Sequence, residues 1–95
     1  MIKISKIDPS RKSFERSFKK LPKNIQEKVG EALKGLLLDP IPKKWNFEKL
    51  NGYKNPNIYT VHITPNHSHK LSFEVVDEIA ILRIVGTHKK IDDAP

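Results

Sequence analysis

Three runs in the last third of the chain, residues 58–64, 69–75 and 79–85, alternate apolar and polar side chains. A period of two is the signature of strands with one buried face. Tyr59, Val61 and Ile63 share one parity, as do Leu71, Phe73 and Val75. Pairing them face to face puts Val61 opposite Leu71, His62 opposite Lys70 and Thr60 opposite Ser72, because a slip of one residue would mix apolar with polar. A short loop through residues 65–67 joins these two strands. A two-residue turn at Asp77 and Glu78 then sets Leu71, Phe73 and Val75 against Ile84, Leu82 and Ala80, with Lys70 facing Val85 and Ser72 facing Arg83. Asp-Glu lacks the glycine or asparagine that such turns favour.

Upstream the period changes. Ile2, Ile4 and Ile7 give a short alternating opening strand. Asp8-Pro9 predicts a helix start, since Asp accepts from free amides and Pro costs nothing at the first helical position. Phe14, Phe18 and Leu21 recur at helical spacing, and Pro22 breaks and restarts the helix. Ile25, Val29, Leu33, Leu36 and Leu37 form the apolar stripe of a second helix, which Asp39-Pro40 ends. Gly30 and Gly35 weaken it by about 1 kcal/mol each and leave room for close approach to the sheet. Residues 40–57 read as irregular, with Trp45, Phe47, Leu50 and Tyr53 pinning a loop to the core.

These elements predict one α+β domain over residues 1–95 in the order β-α-α-β-β-β. A small four-stranded, mainly antiparallel sheet carries an N-terminal helical hairpin on its apolar face. The opposite face presents Thr60, His62, Lys70, Ser72 and Arg83 to solvent.

Composition narrows the chemistry. The 95 residues include 18 Lys and Arg against 11 Asp and Glu, a net charge of +7, and no cysteine. The charge favours acidic partners, whether nucleic acid, an anionic membrane or an acidic protein, and does not by itself separate them. Without cysteine there is no disulfide framework, thiolate metal site or thiol nucleophile. The N-terminus alternates apolar and charged residues instead of forming a leader, and no apolar run approaches a membrane span. A soluble cytoplasmic protein is expected.

His62 lies on the polar side of its strand, where an imidazole could act as a general base near neutral pH. Lys70 and Arg83 could neutralise a phosphate in a transition state. Gly86 lets the chain bend, so that His88, Lys89 and Lys90 swing over the sheet. His67 and His69 with His62 do not make a metal set: parity separates them and no carboxylate stands nearby. No metal and no cofactor are expected.

At these residues the chain resembles the RelE/ParE superfamily of type II toxin–antitoxin toxins over nearly its whole length. The marks are Lys49-Leu50-Asn51-Gly52, residues 58–63, residues 69–75 and Ile84-Val85-Gly86-Thr87-His88. The Gly-Thr-His ending and the His-Ile-Thr-Pro stretch at His62 are most similar to the YafQ-type branch. The resemblance implies a ribosome-dependent endonuclease that cuts mRNA by attack of a 2′-OH on the adjacent phosphate. It implies His62 as the base, Lys70 as the group steadying the phosphate and His88 as the acid for the leaving oxygen. Arg83, Lys89 and Lys90 would contact the substrate, as would Thr60, which stands where the family often carries a second basic residue. Many members have a base-stacking aromatic near the C-terminus; residues 91–95 have none, leaving Trp45 or Tyr53 for that place. The implied partners are a cognate acidic antitoxin, the ribosome and mRNA. The superfamily also implies two alternatives: a ParE-like inhibitor of DNA gyrase without catalysis, or a non-toxic member that only binds an antitoxin.

Overall fold

Strand parity decides the centre of the sheet. The computed structural model describes residues 3–54, 57–64, 66 and 68–95. Its elements run β1 (Lys6–Asp8), α1 (Lys12–Lys19), α2 (Lys23–Leu36), a 3₁₀ turn (Lys43–Trp45), β2 (Glu48–Lys54), β3 (Asn57–His62), β4 (His69–Val76), β5 (Ile79–Thr87) and α3 (His88–Asp93). Val61 pairs with Leu71, His62 with Lys70 and Thr60 with Ser72, as the alternation requires. The fold is α+β with a helical hairpin on the apolar face. The sheet has five strands instead of the expected four, in the order β1-β5-β4-β3-β2. Among the described residues β1 pairs in parallel with β5, and the other neighbours are antiparallel.

The additional strand is β2, from the stretch expected to be irregular. Its sequence has no alternation and is broken by Asn51-Gly52; pairing to β3 makes it a strand, with a register shift between Lys49 and Lys54. A polar, irregular edge suits a strand with one neighbour. The opening strand is shorter than expected, and Met1 and Ile2 lie outside the described residues.

The β4–β5 turn adopts positive φ at both Asp77 (51°) and Glu78 (65°), the conformation of a primed hairpin turn. Asp tolerates left-handed backbone but Glu does not favour it, and the chain entering β1 supplies a compensation. The amides of Ser5 and Lys6 donate to the Glu78 carbonyl at 2.8 and 3.3 Å. Phe73 faces Leu82 and Val75 faces Ala80 as expected, but a bulge follows. Arg83 is the extra residue, which moves Ser72 to Ile84, Leu71 to Val85 and Lys70 to Gly86. One inserted residue reverses parity. Val85, 1% exposed, thereby joins the core in place of Ile84.

The core joins Phe14 of α1 and Val29, Ala32 and Leu36 of α2 to Tyr59, Val61, Leu71, Phe73, Leu82 and Val85 of the sheet. Ser17 locks α1 to β5: its hydroxyl accepts from the Val85 amide at 3.1 Å and donates to the Phe14 carbonyl at 2.9 Å. Helix α1 begins later than expected because the Asp8 carboxylate is used locally, accepting from the Ser10 amide and hydroxyl. Leu37 is the C-cap of α2 and half-exposed, outside the stripe assigned to it. Trp45 and Phe47 do pin the following segment. Phe47 stacks on Tyr59 at 5.5 Å between centroids, and Trp45 lies against Gly35, where a Cβ would meet its indole nitrogen at 2.1 Å. The close approach at Gly35 is thus to Trp45 and not to the sheet.

Candidate active site

Thr60, His62, Lys70 and Ser72 share the sheet face opposite the helical hairpin, but solvent does not reach them as expected. Thr60 and Ser72 are fully buried, and Lys70 and His62 are 4% and 6% exposed. The cause is the C-terminal segment. Thr87 caps α3, accepting from the Lys90 amide, and the chain folds back against β4 and β5. Ile91 is completely buried there, outside the main core cluster.

This return brings the named groups together. The His62 and His88 rings lie 5.4 Å apart between centroids, tilted by 31°. The Lys70 ammonium donates to Asp92 Oδ1 at 2.9 Å, and His88 Nδ1 lies 2.8 Å from Asp92 Oδ2. The Lys70 hydrogen bond holds the Asp92 carboxyl below its ordinary range against the opposing effect of burial, and the charges of Lys70, His88 and His62 add to it. On the other side the Asn46 amide nitrogen lies 2.9 Å from His62 Nδ1. With that nitrogen donating, Nδ1 accepts and the neutral ring carries its proton on Nε2. The result is a chain of polar groups, Asn46–His62–His88–Asp92–Lys70, with a cleft of about 210 Å³ beside it lined by Lys28, Glu31, Lys44, Trp45, His62 and Thr64.

No family model matches the sequence, and no curated protein does. Solved structures do match. A chain of the RelB–RelE antitoxin–toxin complex from Methanococcus jannaschii superposes with a TM-score of 0.68 at 22% identity, covering 95% of this chain and 99% of that one. A chain of the archaeal RelE–RelB complex from Pyrococcus horikoshii OT3 gives 0.64 at 20% identity, covering 92% and 96%. A copper-bound mutant toxin from Helicobacter pylori gives 0.56 at 26% identity, covering 96% and 99%. The chain has the RelE/ParE toxin fold.

In this RelE-like chain not every expected site residue joins the cluster. Arg83, displaced by the bulge, is ion-paired with Glu74, which also takes Arg11 at 2.9 Å. Glu74 lies four residues along β4 from Lys70, about 13 Å at strand spacing, so Arg83 is held away from the imidazoles. Thr60 is fully enclosed and its hydroxyl has no hydrogen-bond partner among the described residues, so no substrate reaches it in this arrangement. Lys89 and Lys90 are exposed on α3, with the Lys90 stem lying over Gly86. Trp45 cannot serve as a stacking platform: it is buried, Gly35 backs it, and the Lys44 ammonium stands 4.8 Å over its ring. The Tyr53 side chain and His67 lie outside the described residues. His69 Nδ1 pairs with the Ser68 hydroxyl at 2.8 Å. Among the described residues no three His, Asp or Glu side chains are grouped to hold a metal, and no helix is long and apolar enough to cross a membrane.

Two members of the cluster were not anticipated. Asp92 had a signal: it stands four residues after His88, which on a helix is the same face. Seeing it required knowing that residues 88–93 are helical. Asn46 had none, because its contact with His62 crosses from a turn to a strand.

Proposed function

We propose that this chain is the toxin of a type II toxin–antitoxin pair and cuts mRNA on the ribosome by metal-independent transesterification. The observation that carries the reading is the facing pair His62 and His88, 5.4 Å apart, with Lys70 the register partner of His62. Two adjacent imidazoles with an ammonium close by are the groups that acid–base cleavage of a phosphodiester calls on.

His62 takes the proton of the ribose 2′-OH, and the oxygen attacks the adjacent phosphorus. To accept at Nε2, the ring needs its other proton on Nδ1, which the Asn46 side chain meets by turning over its amide so that the oxygen accepts, giving up its 3.3 Å donation to Glu48 Oε1. Lys70 neutralises the charge that grows on the non-bridging oxygens. The P–O5′ bond breaks and His88 protonates the leaving oxygen, giving a 2′,3′-cyclic phosphate and a free 5′-hydroxyl. Each acid or base contributes typically about 10²–10⁴-fold. Lys89 and Lys90, exposed beside His88, supply charge for the RNA backbone. The net charge of +7 suits both RNA and an acidic antitoxin. The Gly86-Thr87-His88 ending supports the YafQ-type branch, acting in the cytoplasm.

Inducing the chain in cells and following amino-acid incorporation beside DNA synthesis tests this. Translation stops with the native chain and continues with His88→Ala. One observation favours a second reading: a carboxylate already neutralises Lys70, as a ParE-like gyrase inhibitor without catalysis would tolerate. Replication arrest that survives His88→Ala establishes that reading instead.

A further inference from the structure

We propose that the Asp92 carboxylate fills the oxyanion position between Lys70 and His88, making α3 a built-in competitor for the RNA phosphate. The inference rests on the reading of Lys70 and His88 as phosphate-handling groups and adds a control on that site. Asp92 divides its two oxygens, Oδ1 to Lys70 Nζ at 2.9 Å and Oδ2 to His88 Nδ1 at 2.8 Å. Two charge-assisted contacts of this kind are what two phosphate oxygens would make with the same donors.

Burial makes the anion obligatory at one end and exchangeable at the other. The Lys70 side chain is only 6% exposed, and an ammonium so enclosed needs an anion beside it. Asp92 is its ion-pair partner among the described residues, yet its own side chain is 43% exposed. It is carried by a six-residue helix whose single buried residue is Ile91. A helix that short has little stability of its own. Replacing the carboxylate with a phosphate keeps a negative charge beside Lys70 while releasing α3. The apparent affinity for phosphate is then reduced by the fraction of molecules in which Asp92 has withdrawn.

The test uses the full chain, inorganic phosphate as the probe, and NMR to follow binding and amide exchange. Asp92→Asn removes the charge and keeps the shape. Asp93→Asn removes the same charge one residue further on, where the side chain is exposed and none of the described ion pairs involves it. Asp92→Asn is expected to bind phosphate about tenfold tighter than the native chain, and Asp93→Asn within about twofold of it. In the native chain phosphate speeds amide exchange in α3. An equal gain in both variants reduces the effect to net charge and overturns the proposal. Weaker binding by Asp92→Asn with intact sheet protection also overturns it, since the carboxylate then positions Lys70 and His88 for substrate. If Asp92→Asn loses sheet protection, the native titration decides alone: α3 exchange unmoved at saturating phosphate refutes the competition. Continued translation arrest in His88→Ala removes the nuclease reading without altering any of these binding results, so the two failures are distinguishable.

Discussion

The side-chain nitrogen of Asn46 lies 2.9 Å from Nδ1 of His62, and Asn46 itself sits in left-handed backbone (φ 48°, ψ 54°) after the 3₁₀ turn. The residue therefore does two things, orienting an imidazole and permitting a turn. Glycine keeps the second and loses the first. Asn46→Gly is expected to lower the proposed RNA cleavage roughly tenfold, the factor carried by about 1.4 kcal/mol of positioning, with little change in Tm. Asn46→Ala adds strain of about 1 kcal/mol at positive φ and lowers Tm as well. Cleavage rates and thermal melts of the two variants check this; undiminished cleavage by Asn46→Gly means that other contacts hold the His62 ring.

What the sequence made legible follows from the strength of each pattern. Alternation in β3 and β4 specified the pairing of His62 with Lys70 because a one-residue slip would have set apolar side chains against polar ones. It failed at β5, where Ile84 and Val85 are both apolar and either can enter the core; the bulge at Arg83 decides between them. The β2 strand has no pattern of its own and exists through β3. Helix α3 has one buried apolar residue, Ile91, too little periodicity to read. Missing that helix meant missing Asp92, and with it the reason the polar face is covered.

Two glycines of α2 are expected to respond in opposite directions. A Cβ on Gly35 would meet the Trp45 indole at 2.1, 2.7 and 2.8 Å, while one on Gly30 meets nothing within 4 Å. Gly35→Ala must push Trp45 out of its place and costs about 1–3 kcal/mol. Gly30→Ala relieves the helix of a flexible residue and stabilises by about 0.5–1 kcal/mol. Urea denaturation reads both. Because Trp45 is the chain's single tryptophan, its fluorescence should shift in Gly35→Ala and stay constant in Gly30→Ala.

Glu74 is the anion shared by Arg11 and Arg83, and it is 8% exposed. Glu74→Ala leaves two guanidinium groups without that partner, one of which already has a buried Nε with no acceptor. The arginines are partly exposed, so water recovers some of the loss. A cost of about 1–3 kcal/mol is expected, and Glu74→Gln, which keeps the shape, costs less than Glu74→Ala. A double-mutant cycle between Glu74 and Arg83 should give clear coupling. Additive effects would mean that Arg83 holds its place by packing alone.

Asp92 sets a pH dependence for the docking of α3. Its carboxyl is held below the ordinary range, first by the hydrogen bond from Lys70 and then by the charges of Lys70, His88 and His62. A carboxyl with a lower value folded than unfolded binds fewer protons in the folded state. Its contribution is therefore complete above the unfolded value of about 3.9 and is lost as pH falls through the folded one. Amide protection in α3 of the native chain is expected to hold from pH 6 down to about 4 and to fall in more acidic solution. Asp92→Asn should begin with the weaker protection and lack the acid-dependent component. Hydrogen exchange measured from pH 6 downward separates the two curves. Parallel curves would show that Ile91 and the Thr87 cap hold the helix without the carboxylate, and that Lys70 tolerates its burial through some other contact.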